Sequence, residues 1–265
     1  MLPTFLHIGP VEIRAYGTLL MLGFIAGILI AGREAKRLGL PADLAVDLGL
    51  SALIGSVLGA RALFVALNWQ DYAPRPIEVL YLWQVGGLSF HGGLLGGVAG
   101  ALVLAWRRRV SFWSLADMGA PGLALGYGIA RFGCFLNGCC YGGPTSLPWG
   151  VRFPLFADSH LTTEPSHPTQ IYAALGSFAI LGVLLRVRAR LSARGQLFLL
   201  YLMLYSVLRG GIEVLRKGYT AQVLVDGLTQ AQVASAVIFV GAGLGLVVLA
   251  RRSRKQKDVP GDRTG

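Results

Sequence analysis

The stretch ARFGCFLNGCCYGG, residues 130–143, decides how the rest of this chain is interpreted. It follows an apolar run and places an arginine, an asparagine and three cysteines where hydrocarbon side chains are expected. An arginine at the centre of a membrane helix costs about 2.5–3.5 kcal/mol on insertion scales, so it is rarely found there without a partner. The remaining sequence is therefore expected to supply the groups that meet Arg131.

The composition is that of a membrane protein. Of the 265 residues, 54% are hydrophobic and only 14% are charged, which is typical of chains that cross a bilayer. The net charge of +11 comes from basic residues in the connections between apolar runs, where they set membrane topology. Because no surface motif of aromatic and basic residues accompanies them, we predict no nucleic-acid partner.

Seven apolar runs are long enough, or nearly so, to cross the hydrocarbon, which takes about 20 helical residues. We predict an all-α, polytopic membrane protein with about seven transmembrane helices in one domain, residues 1–250. A basic cytoplasmic tail, residues 251–265, follows it. The predicted spans are residues 16–32, 44–68, 86–106, 113–136, 168–186, 195–215 and 229–250.

The basic residues predict the orientation. They concentrate in the first, third and fifth connections and in the C-terminal tail, for example at 107–109 and 251–257. Since cytoplasmic loops carry the excess of Lys and Arg, we predict a periplasmic N-terminus and a cytoplasmic C-terminus. The connection 137–167 then lies on the periplasmic side. Its length, its prolines and its aromatic residues predict a functional lid rather than a simple turn.

Three arginines fall inside predicted spans and share one depth. Arg61 and Arg209 lie roughly 20–25 Å from the cytoplasmic ends of their helices, and Arg131 lies slightly higher. His91 and Tyr16 come from two further spans at the same level. Glu213 is the only acid that we expect there, so positive charge is in excess. We infer a lipid headgroup phosphate as the anion that completes this pocket.

Several of these residues have more than one interpretation. His91, flanked by glycines in GGLSFHGG (86–93), is either a general base near neutral pH or a buried, satisfied imidazole. Tyr205, Arg209 and Glu213 recur every four residues, so Arg209 and Glu213 are either a neutralised structural pair or part of a phosphate site. The glycines that recur every four residues in several spans indicate close helix packing.

Three interpretations of the cysteines remain open. Cys134, Cys139 and Cys140 have the spacing C-x4-C-C, not the paired C-x2-C of zinc ligands, so we predict no metal and no cofactor. A disulfide on the periplasmic side is one alternative. A thiol redox protein is another, and buried inert thiols are the commonest outcome for such residues.

Taken in order, the motifs resemble those of the bacterial prolipoprotein diacylglyceryl transferases. The similarity covers nearly the whole chain. Each motif is weak alone, but the ordered set is specific. The matching segments are Arg14–Gly17, Gly59–Arg61, Gly86–Gly93, Ala116–Asp117 with Pro121, Arg131 to Gly142, His167–Tyr172 and Arg209-x3-Glu213-x2-Arg216.

The resemblance implies a multi-pass enzyme of the bacterial inner membrane with its site open to the periplasm. Its reaction would transfer the diacylglyceryl group of phosphatidylglycerol to the lipobox cysteine of a prolipoprotein signal peptide, the first step of lipoprotein maturation. By motif, Arg131 would bind the lipid phosphate with help from Arg209. The remaining implied site residues are His91 and Tyr16 at the reaction centre, with Asn137, Gly142, Glu213 and Arg61 around it.

Two positions depart from the family pattern. The family usually has asparagine where this chain has Cys134, and glutamate where it has Cys139. The departure leaves open a paralogue with altered chemistry. A non-catalytic binder or transporter of anionic phospholipids would use the same arginine pocket and is the second alternative. The intact arginines, His91 and Tyr16 favour the transferase.

Overall fold

The computed structural model describes most of the chain, and it is mostly helical. The described residues are 4–8, 11–80, 87–155, 161–191, 193–216, 219–221, 223–225 and 227–258. The helices are α1 (Ala15–Arg37), α2 (Asp43–Leu67), α3 (Trp69–Tyr72), α4 (Phe90–Arg108), α5 (Phe112–Leu136), α6 (Thr169–Val187), α7 (Gln196–Arg216) and α8 (Gln230–Asp258). The strands are β1 (Thr4–Ile8), β2 (Val11–Arg14), β3 (Val223–Val225) and β4 (Leu228–Thr229).

Seven helices in the described part of the chain are 19–29 residues long, and each overlaps one predicted apolar run. Five of them are long and apolar enough to cross a membrane: Ala15–Arg37, Asp43–Leu67, Thr169–Arg190, Gln196–Arg216 and Gln230–Arg251. The other two, α4 and α5, are less apolar because they contain several glycines and polar side chains such as His91 and Asp117. The chain is therefore a helical membrane protein.

The strands form two short antiparallel hairpins, which the all-α prediction did not include. β1 pairs with β2, and β3 pairs with β4 immediately before α8. Neither segment has the length of apolar sequence from which the spans were predicted, so the hydropathy pattern gave no sign of them. They are small additions to a helical protein.

The chain forms two compact units. The first contains Met1–Ile30 and Ala120–Gly265, and the second contains Ala31–Gly119. In the first unit α7 packs against α6 and α8, and one apolar core lies around Ala120, Ala124 and Leu184. In the second unit α2 packs along α4, and a separate core surrounds Leu44, Leu115 and Met118.

Glycines allow the helices of each unit to pack closely. A Cβ atom on Gly96 of α4 would lie 2.0 Å from the Gly55 carbonyl oxygen of α2, and one on Gly92 would lie 2.3 Å from that of Gly59. In the first unit, a Cβ atom on Gly122 would lie 2.6 Å from the Gly27 carbonyl oxygen. Backbones this close admit no side chain, so the four-residue glycine repeats are a packing device, as predicted.

Candidate active site

Arg131 lies in the last part of α5, half-buried, with an aromatic ring as its closest partner. Its Cζ atom is 4.6 Å from the centroid of the Tyr127 ring, one helical turn earlier. Among the residues that the structure describes, no carboxylate lies within ion-pair distance of its guanidinium. A cation–π contact engages the face of the guanidinium, whereas an anion binds the N–H donors at its edge. Arg131 thus has the donors that an anion requires.

An aromatic contact links Arg131 to helix α7. The Tyr127 ring meets the Tyr205 ring edge-on, with centroids 5.3 Å apart. The positive charges of Arg209 and Arg131 both act electrostatically on the Tyr205 hydroxyl. Arg209 and Arg131, on different helices, therefore both act on one tyrosine, and their joint role at a lipid phosphate stays a prediction.

Glu213 holds a cluster of polar groups at the end of α7. It is 3% exposed, and one carboxylate oxygen accepts hydrogen bonds from Arg209 and from Nη1 of Arg216, the latter at 3.3 Å. The other oxygen accepts a bond from Thr229 Oγ1 at 3.1 Å. The predicted Arg209–Glu213 pair is present. Because two guanidinium groups share one carboxylate, the cluster keeps a positive charge in excess.

Arg216 connects this cluster to the loop that follows α5. Its Nε donates to Thr220 Oγ1 at 3.1 Å and its Nη2 donates to the Thr220 carbonyl at 3.2 Å. The Thr220 hydroxyl in turn donates to the Tyr141 carbonyl. The end of α7 and the loop are therefore joined through charged and backbone groups.

Gly142 occupies a place where no side chain fits. A Cβ atom there would lie 2.7 Å from the Leu215 carbonyl oxygen and 3.0 Å from the Cβ of His167. Its N–H donates to the His167 carbonyl at 2.9 Å. Glycine at this position lets the loop pass between the end of α7 and the start of α6; its role in shaping a site stays a prediction.

The three cysteines of the loop face one another. Their sulfur atoms all lie within 4.8 Å of one another, and those of Cys139 and Cys140 are 3.5 Å apart. Hydrogen bonds from Cys134 and Cys139 lower the pKa of the Cys140 thiol, and the positive charges of Arg216 and Arg131 act in the same direction. The side chain of Asn137 is exposed in the turn after α5.

Tyr16 reaches the same neighbourhood from α1. A Cβ atom on Gly133 would lie only 3.2 Å from the Tyr16 Cα, so the glycine lets α1 and α5 approach here. The Tyr16 hydroxyl interacts electrostatically with Arg131 and with all three thiols. The tyrosine is 41% exposed. The first unit therefore brings together Tyr16, Arg131 and the cysteine cluster.

The second unit contains Arg61 and His91. Arg61 is 5% exposed and donates to the carbonyl oxygens of Val79 at 2.8 Å, Glu78 at 2.6 Å and Gly87 at 3.3 Å. Its Nη1 is 3.3 Å from the Tyr72 hydroxyl. These bonds hold the backbone segments before α4 in place, and they use N–H donors of the guanidinium.

His91 lies exposed in the first turn of α4. The helix begins at Phe90, and the Ser89 side chain caps it by accepting a bond from the Gly92 N–H. The Ser89 N–H donates to the Ala60 carbonyl at 3.0 Å, next to Arg61 in the chain. The backbone around Arg61 therefore sets where α4, and with it His91, begins.

Sequence reasoning missed three partners of the charged groups. Tyr127 lies four residues before Arg131 on the same helix, so its spacing is a signal that was available. Arg216 belongs to the family motif, but the sequence did not predict it as a second partner of Glu213. Thr229 gave no signal, because its contact with Glu213 depends on the β3–β4 hairpin.

Comparison with known proteins shows the family of the chain. The sequence profile of the family described as prolipoprotein diacylglyceryl transferase matches residues 3–249. Three relatives bear the name phosphatidylglycerol–prolipoprotein diacylglyceryl transferase. That of Halalkalibacterium halodurans is 38% identical over 90% of this chain and 83% of its own. That of Synechococcus elongatus is 37% identical over 97% of this chain and 90% of its own. That of Bacillus cytotoxicus is 37% identical over 96% of this chain and 93% of its own. The chain belongs to the prolipoprotein diacylglyceryl transferase family.

Proposed function

We propose that this chain transfers the diacylglyceryl group of phosphatidylglycerol to the thiol of the lipobox cysteine in prolipoprotein signal peptides, the first step of lipoprotein maturation. The observation that carries the proposal is Arg131. Its guanidinium rests on Tyr127 within a membrane helix and has no described carboxylate partner. A charge in this position needs an anion, and the phosphate of the lipid substrate is one.

The arginines act on the phosphate. Arg131 binds it with two N–H donors in the fork geometry that suits a phosphate, and Arg209 assists. As the bond between the glycerol carbon and the phosphate oxygen breaks, negative charge grows on the departing glycerol phosphate. Fixed guanidinium groups stabilise that charge more than they stabilise the substrate, which lowers the barrier. Glu213 keeps Arg209 oriented through their ion pair.

The remaining residues serve the thiol and the shape of the site. His91 acts as the general base toward the substrate thiol, because imidazole accepts a proton near neutral pH. Tyr16 lies at the reaction centre beside Arg131. Asn137 and Gly142 shape the site through the turn after α5.

For Arg61 we assign a positioning role. Its donors hold the backbone carbonyls of Glu78, Val79 and Gly87. That backbone leads into α4, on which His91 lies. Arg61 therefore serves the reaction through His91, in place of the direct contact with lipid expected from its depth.

The arrangement in the membrane follows the positive-inside rule. Seven helices cross the bacterial inner membrane in one domain, residues 1–250, with the N-terminus in the periplasm and the tail 251–265 in the cytoplasm. The site opens to the periplasm. The connection 137–167, of which residues 156–160 lie outside the described residues, forms its lid, and exposed Leu147, Trp149 and Leu155 suit contact with the membrane surface.

The test uses the purified full-length protein in detergent with phosphatidylglycerol and a lipobox peptide. We expect the peptide to gain the mass of one diacylglyceryl group. Two matched controls are a peptide with serine in place of the lipobox cysteine and phosphatidylethanolamine in place of phosphatidylglycerol; neither should react. The same protein should also restore growth to cells lacking their own transferase. If it neither modifies the cysteine peptide nor restores growth, the proposal is contradicted.

The His91→Ala variant separates an enzyme from a non-catalytic lipid binder. Under the proposed function it retains phosphatidylglycerol binding but loses turnover. A wild-type protein that binds the lipid and never modifies the thiol is a binder instead.

A further inference from the structure

The cysteine cluster of the first unit has the geometry of a metal site. All three sulfur atoms lie within 4.8 Å of one another, and one pair is 3.5 Å apart. Zinc bonds to sulfur at about 2.3 Å, so two sulfurs of a tetrahedral zinc site are separated by about 3.8 Å. The three sulfur atoms therefore lie close to that spacing. The proximity is a result of the fold, since C-x4-C-C spacing alone does not predict it.

The loop is built to hold the sulfurs in place. Gly138 and Cys140 adopt left-handed backbone conformations, with φ of 72° and 68°. For a non-glycine residue this conformation costs about 1–2 kcal/mol and persists only where the surroundings enforce it. Two buried side chains at the start of α6 enforce it: Thr169 donates to the Cys140 carbonyl at 2.7 Å and Gln170 donates to the Cys139 carbonyl at 2.6 Å. The Cys139 N–H also donates to the Cys134 carbonyl at 3.2 Å.

The surrounding charge matches an anionic metal centre. Three thiolates and one divalent cation carry a net charge of −1. Arg216 is joined through Thr220 to the Tyr141 carbonyl, directly after Cys140 in the chain, and Arg131 lies three residues before Cys134 on α5. Thiolates are the soft ligands that select zinc or copper(I) over hard cations. The positive surroundings therefore favour a thiolate site for a divalent ion.

We propose that Cys134, Cys139 and Cys140 bind one zinc ion and leave its fourth position open for the sulfur of the substrate cysteine. Three protein ligands with one open position is the arrangement of catalytic zinc, whereas structural zinc has four. The inference rests on the proposed transferase function, which supplies the substrate thiol. It also accounts for the two departures from the family pattern, because cysteine at 134 and 139 provides two of the three ligands.

The chemical step balances with zinc as a Lewis acid. When the substrate thiol binds to zinc it passes its proton to the general base of the proposed function, since a coordinating thiol is deprotonated outright. The sulfur electron pair then forms the S–C bond to the glycerol carbon as the C–O bond to the phosphate breaks. The electrons of that C–O bond leave on the phosphate oxygen. The lipid phosphate and the thiolate each carry one negative charge before the reaction, and glycerol phosphate carries both negative charges after it. The zinc keeps its three protein ligands.

The first test measures metal in the purified full-length protein. We expect about one zinc ion per chain, retained in the control Ser146→Ala of the same loop and lost in the variant with all three cysteines changed to serine. With cobalt(II) in place of zinc, the visible spectrum should shift when a cysteine lipobox peptide is added and should not shift with the serine peptide. Copper in place of zinc, no bound metal, or no shift with the cysteine peptide overturns the proposal.

The second test uses the wild-type chain, so it does not depend on the folding of a variant. Removing zinc with a chelator should lower turnover at pH 7 by about tenfold or more, because a free thiol with a pKa near 8.5 is only a few per cent ionised there. The loss should shrink at pH 9 and be reversed by added zinc. Equal turnover with and without zinc overturns the zinc site and leaves the transferase function standing. Bound zinc with a peptide-dependent cobalt shift, but no lipidation under any condition, supports the site and contradicts the transferase function.

Discussion

Arg61 and Arg131 are both arginines inside apolar helices, yet the two units use them differently. In the second unit Arg61 is buried, and its donors bind the carbonyl oxygens of Val79, Glu78 and Gly87. In the first unit Arg131 rests on the face of Tyr127 and has no described carboxylate partner. The number of partners within the protein separates a guanidinium that holds structure from one that we propose to bind a ligand.

The largest effect is expected for Arg131→Ala. Removing the group that stabilises charge on the departing phosphate should lower turnover by about 10²–10³-fold. Arg131→Lys should recover only part of the loss, because an ammonium lacks the planar fork. Turnover of the lipobox peptide measures both variants, and their melting temperatures should stay close to that of the wild type. Full activity in the alanine variant contradicts the phosphate role.

Arg61→Ala should mainly lower the stability of the protein, whereas Arg131→Ala should mainly lower turnover. The change leaves several backbone carbonyls without their donor, which costs about 2–3 kcal/mol of stability. We expect a melting temperature lower by about 5 °C or more, measured by thermal unfolding in detergent. Turnover should fall less than in Arg131→Ala at temperatures where the protein is folded. If Arg61→Ala keeps its stability and loses all activity, the contrast between the two arginines is wrong.

Tyr127→Leu tests whether the ring beneath Arg131 orients its guanidinium. A cation–π contact contributes about 1 kcal/mol, so losing it should lower turnover by about fivefold by leaving the guanidinium less well oriented. Tyr127→Phe keeps the ring face and is the matched control. The two variants should differ in the steady-state rate with phosphatidylglycerol; identical rates show that the ring does not orient Arg131.

Tyr72→Phe is the corresponding change beside Arg61 and should have the smallest effect. It removes the hydroxyl 3.3 Å from Arg61 Nη1 but keeps the ring. Because one hydrogen bond contributes about 1 kcal/mol net, the melting temperature should fall by about 2–4 °C. Turnover should stay within about twofold of the wild type. A large loss of turnover with unchanged stability places Tyr72 in the chemistry and contradicts this account.

Much of the fold is readable from the sequence because a membrane helix is a long, local signal. Each apolar run overlaps a long helix, and the glycine repeats locate the close contacts of α2 with α4. Local spacing also predicted the Arg209–Glu213 pair, which lies one turn apart on α7.

The missed features depend on contacts between distant parts of the chain. The carbonyl acceptors of Arg61 lie 17–26 residues away and carry no side-chain signature. The sulfur cluster depends on left-handed backbone at Gly138 and Cys140 and on anchors from α6. Backbone acceptors and loop conformations of this kind leave no pattern in hydropathy or spacing.

The central claim is that Arg131 binds the phosphate of the lipid, and retention of phosphatidylglycerol tests it most directly. Native mass spectrometry of the protein released from detergent compares the wild type, Arg131→Ala and Arg61→Ala at equal lipid concentration. We predict that Arg61→Ala retains bound phosphatidylglycerol as the wild type does, while Arg131→Ala loses most of it. Equal retention by Arg131→Ala and the wild type would contradict the account.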